Sequence, residues 1–162
     1  MATILNLAQT GEVIKVDPVL GLRELELRRI YLLPRAHKWL REVLPETDSD
    51  RFTEEKPDMQ VDSLIYVFCS GQPLAFGTQL KALVHLEDGI WELKTADVRL
   101  FGWFTHKDCF LVSDCDTMYN ILKSNMVQGY CQQAVRFRQA LNLDEPKFVT
   151  GDNPDDVVSD CY

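Results

Sequence analysis

Apolar residues recur along this chain at two spacings, and the change from one to the other divides it. Ala36, Trp39, Leu40, Val43 and Leu44 follow one another at intervals of three and four, the spacing that lines one side of a helix. Pro34 stands where a proline suits the first helical turn, because its fixed φ is already helical and its missing N–H is not needed there. Val61, Leu64, Ile65, Phe68 and Cys69 repeat the pattern, so a second helix is expected over residues 58–70, stopped by Gly71. From Gly89 the period falls to two. Residues 90–93, 98–104 and 109–112 read as three successive strands. Their short linkers make them antiparallel neighbours.

The segments on either side are less regular. Residues 22–33 begin as an alternation of Leu22, Leu25 and Leu27 with charges and end in the apolar run from Ile30 to Leu33. A strand ending at Pro34 is expected, since the residue before proline disfavours the α region. Glu12 to Val16 alternates and suggests a short strand. Leu80, Leu83, Val84 and Leu86 lead into the turn residues Glu87, Asp88 and Gly89. Residues 114–116 interrupt the strand pattern and offer helix caps. Residues 117–141 then carry Met118, Ile121, Leu122, Ala134, Val135, Phe137 and Leu141 on one side, which predicts a single long helix.

The order strand, helix, helix, three strands, helix predicts an α+β fold with helices on one face of a mostly antiparallel sheet. Leu40, Leu64, Phe68, Leu93, Leu100 and Phe110 are its expected core. Residues 1–20 read as a lead-in, 21–141 as one domain and 142–162 as an extended acidic tail. The tail holds six Asp or Glu against Lys147 alone.

Charge and cysteine content narrow the function classes. Seventeen Lys and Arg against 25 Asp and Glu give a net charge of −8, which argues against a general nucleic-acid binder. No apolar run approaches the roughly 20 residues that cross a bilayer. The first ten residues lack the basic start of a secretory signal. Five cysteines without a CxxC pair suit reduced thiols in a cytoplasm, and the three histidines have no spacing for a metal. Neither a metal nor a cofactor is expected.

Two stretches together resemble the RelE/ParE/HigB toxin superfamily, in its phage-derived HigB-type branch. Residues 30–44, IYLLPRAHKWLREVL, are similar to its opening strand and helix. Residues 86–112, LEDGIWELKTADVRLFGWFTHKDCFLV, are similar to its later strands, with Gly89, Trp91, Glu92, Leu93, Arg99 and Phe104 in matching places. The resemblance covers about residues 27–112. It implies a RelE-like fold, with the helix over 117–141 as an addition, and a toxin-class protein acting on RNA or the ribosome. It also implies metal-independent mRNA cleavage if the domain is catalytic, and restraint by an antitoxin or other protein partner. Arg99 stands as the arginine of the third strand, and His106 and Lys107 in the following turn complete the implied catalytic set. The chain departs from the family in its acidity, in reading SDCDTM over residues 113–118 where lysines are usual, and in its added C-terminal segments. The acidity and the missing lysines favour the alternative, a non-catalytic protein-interaction module on the same fold; Arg99 and the basic first helix favour the toxin-class reading, which leads.

Each candidate also has a plainer reading. Arg99 binds a phosphate, or is an outward strand residue paired with Glu92 across the hairpin. Arg35, His37, Lys38 and Arg41 form an RNA-binding helix face, or a solvated one. Trp103, with Trp91, Phe101 and Phe104, stacks on bases, or belongs to the core. The acidic tail folds back over Arg99 or the first helix and masks positive charge, or is a loose terminus.

Overall fold

A computed structural model describes residues 1–83 and 87–159. Val84 and Leu86, assigned above to the approach to the 87–89 turn, and Asp160 and Cys161 of the tail lie outside the described residues. The chain forms one six-stranded sheet in the order β1-β2-β6-β5-β4-β3. Its strands are β1 (Ile14–Lys15), β2 (Arg29–Leu32), β3 (Leu80–Ala82), β4 (Trp91–Lys94), β5 (Val98–His106) and β6 (Cys109–Thr117). β2 runs parallel to β6, with Arg29 opposite Cys109, and every other pairing is antiparallel.

The helices are α1 (Ile4–Thr10), α2 (Pro34–Glu42), α3 (Pro57–Cys69), α4 (Met118–Ser124), α5 (Val127–Ala140) and α6 (Pro154–Val157). They lie on both faces of the sheet rather than one. On the α3 face, Leu64 and Phe68 pack against Ile30, Leu93, Leu100, Phe104 and Phe110. On the other face, α1 supplies Ile4 and Leu7, and α5 supplies Cys131 and Ala134, against Tyr31, Phe101, Trp103 and Leu111. Five of the six expected core residues are buried, and Leu40 is half-buried at the rim between two apolar clusters.

β3 and α6 were not expected as regular elements, and four further elements differ from the pattern-based expectation. First, α1 appears within the supposed lead-in, capped by Thr3 and Asn6 in reciprocal hydrogen bonds and ended by Gly11 at φ +82°. Second, only Arg29–Leu32 of the expected strand over 22–33 pairs, and Leu22, Leu25 and Leu27 are exposed. Third, β6 does not break at residues 114–116 but continues to Thr117, because neighbouring elements supply partners for its polar side chains. Fourth, the single helix over 117–141 is two. Asn125 ends α4 in the left-handed region at φ +50°, a conformation asparagine tolerates, and α5 restarts at Val127.

Gly102 occupies the middle of β5 at a register shift. A Cβ there would fall 2.0 Å from the Leu111 carbonyl oxygen, so the close approach of β6 requires glycine.

Through Ser159, the tail is neither loose nor folded over Arg99. Val157 and Val158 are buried, and the Asp108 N–H donates to Val157 O at 2.8 Å. Ser159 donates to the Asp108 carboxylate, and Arg28 Nη2 donates to Ser159 O at 2.9 Å. The segment therefore closes the β5–β6 turn, the end of the sheet away from Arg99.

Candidate functional site

Strand alternation gathers charge on the sheet face beneath α4 and α5. Cross-strand partners share a face, and the register places Lys81 opposite Glu92, Lys94 opposite Arg99, Arg99 opposite Asp116, and Phe101 opposite Asp114. A charged band of both signs results, basic towards β4 and acidic on β6. It runs from Lys81 through Glu92, Lys94 and Arg99 to Asp116 and Asp114, with Arg35 of α2 beyond.

Arg99 is 8% exposed. Its Nη1 donates to the carbonyls of Thr95 and Val98, the latter at 3.0 Å. Burial lowers the pKa of its guanidinium, and the nearby Glu92 carboxylate opposes that shift. Glu92 is a diagonal neighbour of Arg99 rather than its direct cross-strand partner. Lys94 Nζ donates to Gly77 O at 2.9 Å and lies 4.0 Å from Glu92 Oε1. Beside them a recess of about 400 Å³ opens, lined by Lys81, Glu92, Lys94, Arg99 and Asn125, with Gln128 from the first turn of α5.

The acidic end is more enclosed. Asp116 accepts hydrogen bonds from the Tyr130 hydroxyl at 2.6 Å, Asn120 Nδ2 at 3.0 Å and its neighbour Thr117 N–H at 2.7 Å. Tyr130 stacks on Phe101 at 5.0 Å between ring centroids, and burial and then the Asp116 carboxylate raise its phenol pKa. Asp114 Oδ1 meets Arg35 Nε at 2.7 Å, whereas Oδ2 is buried without a hydrogen-bond partner among the described residues. Burial raises the Asp114 carboxyl pKa, and Arg35 pulls it back.

Asp97, at the entrance to β5, organises a separate cluster. Its carboxylate accepts from Ser49 Oγ at 2.7 Å, Gln60 Nε2 at 2.6 Å and the N–H groups of Asp50 and Arg51 at 3.2 Å each. Burial on its own would raise this carboxyl. The donated hydrogen bonds, led by those of Gln60 and Ser49, outweigh it and hold the pKa below the usual value.

The expected catalytic set does not assemble. His106 and Lys107 are exposed in the β5–β6 turn, where His106 Nδ1 lies 3.2 Å from Thr105 Oγ1. Arg99 is near the opposite end of β5, about 23 Å away at roughly 3.3 Å per strand residue. Trp103 is fully buried, as are Phe101 and Phe104, with Trp91 almost so, which overturns the base-stacking reading in favour of the core. The basic helix face is divided. Arg35 is committed to Asp114 and lies over the Phe137 ring, Lys38 is exposed, His37 is half-buried and Arg41 lies 3.7 Å from Glu42.

Lys81, Lys94 and Tyr130 were not singled out from sequence, and the spacing of Asp97, Asp114 and Asp116 gave no ground to assign them to a site. Carrying the period of two through SDCD would have placed Asp114 and Asp116 beside Phe101 and Arg99. Nothing local to Tyr130 announces its partner fourteen residues earlier.

The described cysteines, Cys69, Cys109, Cys115 and Cys131, are buried and unbridged, and burial pushes Cys69 and Cys131 up to about 12. Among the described residues no group of three His, Cys, Asp or Glu is placed to hold a metal, and no helix is long and apolar enough to cross a membrane. No family model, curated protein or solved structure matches the chain.

Proposed function

We propose that this chain is a RelE/HigB-like domain working as a protein-interaction module, with the fold kept and the ribonuclease chemistry absent. The succession β2, α2, α3, then β4, β5 and β6 follows the element order the resemblance implies, with β3 inserted before β4. One observation carries the loss of chemistry. Arg99 is bonded to backbone carbonyls at one end of β5, while His106 and Lys107 stand at the other. General acid–base catalysis needs the proton-transfer group within about 3 Å of the reacting atom that the phosphate-binding group holds, and this separation argues against Arg99, His106 and Lys107 acting together.

The test is cleavage of a labelled single-stranded RNA, alone and as ribosome-bound message, together with growth on induced expression. No cleavage and unarrested growth are expected, in the native chain and in Arg99→Ala alike. RNA cut by the native chain and spared by Arg99→Ala overturns the reading.

A second reading, RNA binding without cleavage, rests on the recess where Lys81, Lys94 and Arg99 converge. It requires salt-sensitive RNA affinity that Lys81→Glu and Lys94→Glu abolish.

A further inference from the structure

The segment between the short 3₁₀ turn at Leu44–Glu46 and α3 presents a side chain against its solvation preference. Phe52 is 98% exposed, and its backbone sits at φ +53°. That left-handed conformation is disfavoured for a bulky residue, and full exposure of an aromatic ring gains nothing in a free monomer. Strain is maintained only where surrounding structure over-determines it. Here the surroundings are the Asp97 cluster. The Asp97 carboxylate holds the Asp50 and Arg51 N–H groups immediately before Phe52, and Ser49 Oγ accepts from Thr53 N–H immediately after it, at 3.3 Å. The ring is therefore carried on a pinned support.

The base of the same loop lines a recess of about 360 Å³ with Trp39, Val43, Asp48, Asp50 and Tyr119. Tyr119 is about half exposed, as is Val43. Aromatic walls beside two carboxylates suit an ammonium or guanidinium group. The surrounding charge has the same preference. Residues 46–58 hold Glu46, Asp48, Asp50, Glu54, Glu55 and Asp58 against Arg51 and Lys56.

We propose that this loop is the docking element of the module: Phe52 inserts into an apolar pocket of a partner protein while a Lys or Arg beside that pocket enters the Trp39–Tyr119 recess. The proposal rests on the interaction-module reading and names its surface. A basic protein surface is the occupant. RNA is disfavoured, because the loop's carboxylates repel phosphate. Holding the aromatic ring in place before contact lowers the ordering cost of binding, and buried aromatic anchors carry much of an interface's affinity.

The probe is a synthetic amphipathic peptide with leucine on one helical face and lysine on the other. Its controls are the same peptide with leucine replaced by serine, a leucine–glutamate counterpart and a single-stranded RNA. The leucine–lysine peptide is expected to bind the native chain at least tenfold more tightly than any control. Phe52→Ser and Asp97→Asn are each expected to weaken it at least tenfold, the second by releasing the support while leaving the ring in place. Phe52→Asn separates a binding role from a structural one. Asparagine tolerates the left-handed backbone, so Tm should rise by about 2–4 °C while binding is lost. Peptide affinity unchanged in Phe52→Ser overturns the docking element but leaves the module reading standing. A lower Tm in Phe52→Asn also overturns it, since the ring would then be structural. RNA cleavage by the native chain overturns the module reading itself.

Discussion

The two faces of the sheet are built on opposite principles. The α3 face is dry apart from the Gln60–Asp97 pair at the entrance to β5: Phe68 lies 6.3 Å from Phe104 between ring centroids, Phe104 lies 4.9 Å from Phe110, and Trp91 meets Phe104 edge-on. The α4–α5 face combines an apolar patch with the charged band from Lys81 to Asp114. Non-directional burial holds the first together. The second stands only if each polar group finds its partner, since a half-satisfied buried network is worse than none. Losses on the dry face should therefore scale with volume, and losses on the charged face with the number of partners left behind.

The largest expected effect tests the dry face. Phe68→Ala should cost about 3–5 kcal/mol in denaturant unfolding, because the ring is fully buried and rigid neighbours leave a cavity. Leu40→Ala, at the half-buried rim, should cost well under that. Equal costs would show that the rim belongs to the core.

Next in size is Arg35→Ala, expected to cost about 1–3 kcal/mol by stranding the Asp114 carboxylate, one oxygen of which already lacks a partner among the described residues. Adding Asp114→Asn should recover part of the loss, and a double-mutant cycle measures the coupling. Additive losses would mean that the two side chains do not interact. Tyr130→Phe should cost about 1 kcal/mol through the lost Asp116 hydrogen bond, since the stacked ring remains.

Acid titration sharpens the contrast between two carboxylates. Asp97 has a lowered pKa, so its contribution is fully present above the ordinary aspartate value of about 4 and fades as pH falls through its folded value. Asp114 has a raised pKa, so its protonated form is the favoured one in the fold. Its contribution is present below about pH 4 and is lost as pH rises through its folded value. Asp97→Asn should thus destabilise more at pH 7 than at pH 3, whereas Asp114→Asn should be less harmful at pH 7 than at pH 3. Parallel pH profiles for the two variants would contradict this.

The dry face was legible in the sequence because period is a local property. The spacing of Val61, Leu64 and Phe68, and of Leu93, Leu100 and Phe110, reports burial without any knowledge of what lies opposite. The charged face was not. Asp114 and Asp116 read as a break because isolated acids oppose burial, and Arg35 and Tyr130, brought from distant segments, join the local donors Thr117 and Asn120 in reversing that. Trp103 was ambiguous for the same reason: alternation places a residue on a face, but α1 and α5 decide whether that face is covered. The division of 117–141 at Asn125 escaped because the apolar spacing runs through the break. Phe52 lies among polar residues between Pro45 and Pro57, and Asp97 in the short linker before β5; nothing local to either segment reports the hydrogen bonds that join them.

The parallel pairing of β2 with β6 has a consequence for synthesis. β2 emerges early, and β1 shields only one of its edges, over two residues. Its other edge waits for a strand that ends at Thr117. At about 5–20 residues per second, that wait lasts several seconds. Throughout it, Ile30, Tyr31 and Leu32 present an apolar, unpaired edge to whatever else is nascent nearby. A chain halted before Cys109 leaves β2 without the strand that joins it to the rest of the sheet. It remains a candidate for chaperones or for pairing with a second unfinished copy, so completion of the hairpin from β5 to β6 sets the moment at which this protein ceases to be hazardous to its neighbours.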